Sequence, residues 1–363
     1  MRSRTSDSAT EHDLPRPVTG GASITLIEAV VRSGLTPSAR SVCAAVARMM
    51  GCANRRRKKD TMPTSPEAPC SGSCYANATA QEAARKFLGR HRLIVAGAAV
   101  ALIACAACVA SQEPGIECLA AFMIDALLIS LASTVLNRCN FSKLLGIMSI
   151  DCDARKMLDA ASLLMEKRRK PKEAPTYELV YAMCSAQLGC DDVALQWVDK
   201  AESEQKLGLS NRLLACNVRA VVAGHRGDRD ELANVRGQVA ALRSEMRASG
   251  ALRRTADLVA SWIDFDLALG DGDWQRCSEL LGSMQVLSAT RQQKVSTEHR
   301  RGMLAEARGD MGAARDRYAF VAANGGTCRM ARQSAEWLDM HKIRSEAGRS
   351  AGRLCEDTPS IVL

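Results

Sequence analysis

The chain has 363 residues, with 49 Lys/Arg against 40 Asp/Glu and only 4% aromatic residues. That length allows about two or three domains, and a composition rich in Ala, Leu, Arg and Glu with little strand-like alternation favours helices over sheets. The net charge of +9 lies outside residues 175–363, which balance at 25 basic and 25 acidic side chains. A neutral second half is a poor nucleic-acid surface, so such a partner is unlikely there on electrostatic grounds.

Residues 1–92 carry 15 Lys/Arg against 7 Asp/Glu. Within them, residues 1–21 are polar with Pro and Gly and read as disordered. Ser23 to Arg32 and Ser38 to Met50 read as two short helices, with Thr36 as N-cap and Pro37 at the first helical position. The run Arg55-Arg56-Arg57-Lys58-Lys59 follows. A helix, a short turn and a helix beside basic residues point to nucleic acid. A cytosolic tail lying near anionic lipid is the other reading, and the missing third helix favours it. Met62 would also serve as a start, and residues 60–80 read as a Pro/Ser/Ala/Thr linker.

Leu93 to Ala110 is a run of 18 residues without a charge, and Cys118 to Leu136 is a second run with one, Asp125. At ~1.5 Å per residue the first spans about 27 Å, close to the ~30 Å hydrocarbon core of a bilayer. Pro114-Gly115 turns the chain between them, giving a helical hairpin. Arg85, Lys86, Arg90 and Arg92 precede the hairpin and Arg138 and Lys143 follow it, while its loop carries Glu113 and Glu117. The positive-inside rule then places both termini in the cytoplasm at the plasma membrane. Asp125 reads either as an intramembrane contact or proton site, or as a position near the outer interface within reach of water. A buried soluble helix pair, and a lipoprotein signal at Leu102-Ile103-Ala104-Cys105, are the competing readings of this segment.

From Asp153 to Lys170 an amphipathic helix is expected, ended by a basic run and Pro171. Four helix pairs follow, with first helices at about 175–188, 210–226, 252–269 and 291–308. Their partners fall at 191–206, 228–247, 273–287 and 310–323, and a last helix covers 327–345. Each pair turns at a glycine: Gly189, Gly227, Gly272 and Gly309, at intervals of 38, 45 and 37 residues. The 15 cysteines sit singly at helical positions such as Cys184, Cys216 and Cys277, as small buried hydrophobes of a reducing compartment would.

These pairs resemble the tetratricopeptide repeat, a helix–turn–helix unit of 34 residues. Small residues fall where that family packs helices closely: Ala182, Ala194 and Ala201 around Gly189, and Gly302 and Ala314 around Gly309, with Tyr318 at an aromatic position. The second unit departs from the pattern at Leu232, and the intervals exceed 34. The resemblance implies a stack of pairs with a concave face that binds a protein or peptide. It implies ligand-facing positions at Asn217, His225, His299 and Glu306.

The expected organisation is a mostly disordered basic region (1–80), a transmembrane helical hairpin (81–137), and a juxtamembrane segment (138–150). A tetratricopeptide-like α-solenoid (151–345) and a disordered tail (346–363) complete it, so the fold class is all-α. Phosphate-binding glycine loops, HExxH and GxSxG are absent from the sequence, and the five histidines are scattered. No catalytic residue, metal or cofactor is expected. The functional expectation is a membrane-anchored cytoplasmic scaffold or adaptor. Its alternatives are a membrane-bound regulator whose basic N-terminal helices contact nucleic acid or anionic lipid, and a membrane-complex subunit acting through Asp125.

Overall fold

The computed structural model describes residues 72–111, 115–167, 174–247 and 250–356, with side chains of the last helix described to Lys342. The two expected helices before residue 51 and the basic run at 55–59 lie outside them. Twelve α-helices appear among the described residues. The two long ones come first: α1, Ala80–Ala110, and α2, Ile116–Ser149. Then come α3 (Ala154–Glu166), α4 (Ala174–Leu188), α5 (Asp191–Glu204), α6 (Leu209–Arg226), α7 (Arg229–Ser244) and α8 (Ala251–Asp271). The last four are α9 (Trp274–Leu287), α10 (Arg291–Ala307), α11 (Met311–Asn324) and α12 (Arg329–Glu356).

The chain divides into two units. In the first, residues 94–135 expose Val100, Ile103, Leu119, Met123, Leu127 and Leu131, each more than half accessible. Only Ala101, Cys105 and Asp125 are buried among its described residues, so the Asp125 side chain does not face outward. The Thr134 hydroxyl donates to the Ser130 carbonyl at 2.9 Å, a local bond that satisfies a polar group without water.

The second unit takes residues 70–93 and 136–363. Both long helices therefore run past their apolar stretches. The first turns of α1 and the last turns of α2 carry Ala83, Ala84, Phe87, Leu144 and Ile147, which pack with Met157, Leu164 and Val180 of α3 and α4. Residues 72–79, which the sequence suggests are linker, form a packed turn instead. Tyr75 is buried, Asp151 accepts from the Ser73 amide at 2.7 Å, and Lys156 donates to the Tyr75 carbonyl at 2.7 Å. A capping box starts α1: the Glu82 amide donates to the Thr79 hydroxyl, and the Thr79 amide to the Glu82 carboxylate, both at 3.2 Å.

Past α3, helices pair in sequence, and each pair turns in the same way. Gly189, Gly227, Gly272 and Gly309 all have positive φ, from 66° to 86°. The amide after each glycine donates five residues back, Cys190 to Ser185 at 2.8 Å, Asp228 to Ala223 at 2.9 Å, Asp273 to Ala268 at 3.0 Å and Asp310 to Ala305 at 2.9 Å. This is the Schellman closure of a helix C-terminus, which needs a left-handed residue and so favours glycine. In the last three turns the following aspartate immediately caps the partner helix, accepting from the amides of Glu231, Arg276 and Ala313. A Gly-Asp dipeptide thus stops one helix and starts the next. The last helix runs to Glu356, beyond the expected 345, because no proline or capped turn interrupts it.

Successive pairs are clamped by arginines spaced seven residues, two helical turns, apart. Between α7 and α8 the rungs are Arg229–Asp271, Arg236–Asp264 at 2.5 Å and Arg243–Asp257 at 2.6 Å. Between α5 and α6 they are Arg226–Asp192 and Arg219–Asp199, both at 2.7 Å. Between α9 and α10, Arg308 donates to Ser278 at 2.9 Å and Arg301 to Gln285 at 2.5 Å. The rungs are half-exposed, so each contributes little and is screened by salt. In a double-mutant cycle of Arg236→Ala and Asp264→Ala, urea unfolding should give a coupling of about 0.5–1 kcal/mol that shrinks in high salt.

Candidate functional site

The first helices of the pairs, with α12, form a ring within the second unit, and each seam has a named contact. Asn211 of α6 donates to Thr176 of α4 at 3.1 Å. Gly224 of α6 lies against Asp266 of α8, where an added Cβ would stand 3.2 Å from the carboxylate. Arg300 of α10 holds Asp266 with two bonds of 3.1 and 2.9 Å. Trp337 of α12 donates to Glu306 of α10 at 2.7 Å. Finally Arg332 of α12 donates to the Leu188 carbonyl of α4 at 3.4 Å, and Arg329 binds Asp191 at 3.1 Å.

The turn Gly325-Gly326-Thr327-Cys328 completes the closure against the start of α3. The Thr327 amide donates to the Cys152 carbonyl at 3.1 Å and its hydroxyl to Asp153 at 3.1 Å. Cys152 and Cys328 share a small buried cluster with Ala154, Val295 and Val321. The stack that the sequence suggests would be open at its concave face is therefore closed end to start.

All four positions inferred from the repeat resemblance lie on ring helices, and three of their side chains are engaged by the chain itself. The His225 Nδ1 is 3.0 Å from Asp191. Glu306 accepts from the Tyr318 hydroxyl at 2.8 Å as well as from Trp337. His299 packs its ring on Tyr318, centroids 5.7 Å apart. The buried Asn217 carboxamide oxygen has no hydrogen-bond partner. The ring gathers His225 and His299 near Arg300 and sets Glu306 in the aromatic cluster of Tyr318 and Trp337.

Electrostatics follow from burial. Burial first, then the neighbouring Arg300 and His225, push the His299 pKa down to about 4. His225 is also lowered, by burial chiefly and by Arg329 and Arg300, against the opposing bond to Asp191. Both imidazoles are thus neutral in the folded chain near pH 7. A lowered folded pKa gives stability that is complete above the unfolded value of 6.5 and lost as pH falls towards 4. Thermal melts should show the loss in that window, on the order of 3 kcal/mol for His299, and His299→Gln should flatten the profile.

Several groups with a functional look have structural partners. Arg300 also donates to Ser296 at 2.8 Å, and Arg301 binds Glu298 at 2.5 Å, so both guanidinium groups are engaged within the chain. In the run Gly270-Asp271-Gly272-Asp273, Asp271 is a ladder rung and Asp273 a helix cap. Burial raises the thiol pKa of Cys152 and Cys216 to about 11 and of Cys328 to about 12, and raises Cys184 further still. Such thiols stay protonated at neutral pH and are poor nucleophiles. No cluster of three or more metal-binding side chains occurs among the described residues. A cleft of about 240 Å³ lies between the Arg236 and Arg243 rungs, roofed by Arg276 and Glu279 of α9, with its cations and carboxylates in balance.

Together the fold and this ring define an all-helical protein of sequentially packed helix pairs, with two long apolar helices at its N-terminal end. No family model, curated protein or solved structure matches the chain.

Proposed function

We propose that the chain is a membrane-anchored helical-repeat adaptor, whose apolar hairpin sits in a bilayer and whose repeat unit binds a partner protein or peptide on the cytoplasmic side. The observation that supports anchoring most is exposure. The most apolar 18-residue windows of α1 and α2 are only 11% and 6% buried by the protein itself. In water that much uncovered apolar surface is unfavourable, whereas hydrocarbon covers it. The basic flanks and the acidic loop support that orientation. Architecture supports the partner role, because stacked helix pairs present broad rigid surfaces.

Alkaline carbonate extraction of membranes should leave the full chain in the pellet, and its release into the supernatant would overturn the anchor. Crosslinking in intact membranes followed by purification should recover one specific partner through the repeat unit. Recovery of the same proteins by a chain with a scrambled 174–342 segment would overturn the adaptor role.

A further inference from the structure

The parts of α1 and α2 that belong to the second unit hold cations that the fold does not use. Residues 80–93 and 136–149 carry Arg85, Lys86, Arg90, Arg92, Arg138 and Lys143 against one carboxylate, Glu82. All six cationic residues are exposed, and none makes an ion pair among the described residues. In α6 and α7, by contrast, every arginine meets a carboxylate. Glu82 is already committed to the amide of Thr79. Six like charges with so little compensation repel one another and favour an anion from outside the chain.

The two helices are fixed in register at this place. The Asn140 side-chain amide donates to the Phe87 carbonyl at 3.1 Å, and His91 Nδ1 lies 2.9 Å from the Asn137 carboxamide oxygen. An antiparallel pair so bonded sets Arg90 level with Arg138, and Arg85 level with Lys143. Five residues separate the two levels along α1, about 7.5 Å of helix. The proximal level, with Arg92, begins directly beside Leu93 and Leu136, where the apolar runs end and phosphodiesters of a bilayer would lie. Tyr75 braces it, since its hydroxyl accepts from Arg90 at 3.2 Å and its ring lies 5.7 Å from the guanidinium. Arg85 and Lys86 of the distal level lean away from the bilayer, because helical side chains tilt towards the N-terminus of their helix.

We propose that these two levels form a binding site for a polyanionic lipid of the same bilayer, one whose headgroup bears phosphate beyond its phosphodiester. Arg90, Arg92 and Arg138 hold the phosphodiester, and Arg85, Lys86 and Lys143 hold the further phosphates. Clusters of about 4–8 cations beside a membrane span recognise such headgroups. A lipid with a single charge reaches the proximal level alone, so the spacing of the levels confers selectivity. The proposal deepens the membrane-anchor reading and rests on it.

The test first floats the full-length chain with phosphatidylcholine vesicles, which should carry it upward. A chain left at the bottom overturns the anchor and the lipid site with it, whereas the remaining outcomes bear on the site alone. Native mass spectrometry of the chain in detergent micelles then reads its affinity for phosphatidylinositol bisphosphate and for phosphatidylserine. The natural chain should prefer the bisphosphate by about tenfold or more, and equal affinity overturns the site. The distal variant Arg85→Gln, Lys86→Gln, Lys143→Gln should lose most of that preference while keeping its phosphatidylserine affinity. The proximal variant Arg90→Gln, Arg92→Gln, Arg138→Gln removes the same charge and should weaken both lipids. Identical effects of the two variants would mean that charge alone attracts lipid, and would overturn the two-level site. Soluble inositol trisphosphate should compete about tenfold more weakly than the lipid, having no acyl chains to hold it at the bilayer. Equal competition would make the ligand a soluble phosphate ester and overturn the lipid.

Discussion

Trp337→Ala should destabilise the second unit by about 3–5 kcal/mol, the range for removing a large buried aromatic side chain. Trp337 is 9% exposed, lies 4.8 Å from Tyr318 and stacks on His341 with centroids 3.7 Å apart. Its indole N–H also supplies one of two donors to Glu306, the other being the Tyr318 hydroxyl. Alanine would therefore leave a cavity and a half-satisfied carboxylate at once. Trp337→Phe keeps most of the ring and loses the donor alone, so about 1–2 kcal/mol is expected. Urea unfolding of the full chain in detergent, followed by circular dichroism, separates the two. Equal losses for both variants would mean that packing contributes nothing here.

A second large effect is expected at Gly326→Ala, about 2–4 kcal/mol. Gly326 has φ +55°, and a Cβ there would stand 2.5 Å from the carbonyl oxygen of Cys152, a backbone atom that cannot rotate away. Left-handed strain and the clash both weigh on the ring closure. Gly227→Ala is the matched control. Its φ is +66° but nothing lies within 4 Å of the added methyl, so only the strain remains, about 1 kcal/mol. Hydrogen exchange should show the Gly326 variant deprotected at residues 152–156, across the seam, while Gly227→Ala loosens only its own turn. Matching exchange profiles in the two variants would argue against a closed ring.

Helix positions after residue 150 were legible because their signals are local. A glycine that can turn left-handed, followed by an aspartate that can cap, is visible in the chain at Gly227-Asp228, Gly272-Asp273 and Gly309-Asp310. The capping box at Thr79 and Glu82 was equally local. It passed unnoticed because the surrounding Pro, Ser, Ala and Thr composition reads as linker. The arginines at 229, 236 and 243 stand in the sequence, but their pairing needs the register between α7 and α8, which no single helix encodes. Likewise the repeat resemblance put His225 and Glu306 on the ring helices, whereas their partners Asp191 and Trp337 come from elements 34 and 31 residues away. The closure was illegible for the same reason, since its bonds join residues more than 130 positions apart.

That separation sets an order of events during synthesis. Each helix pair can form as it leaves the ribosome, because its bonds reach back only one pair. The Cys328 bond to Cys152 spans 176 residues, about 10–35 s of translation at typical elongation rates. For the last 138 residues of synthesis before Arg329, the Asp191 turn and the start of α3 are both made but uncovered. The nascent chain therefore passes through a stage in which the ring is open because its own last helix has not been made.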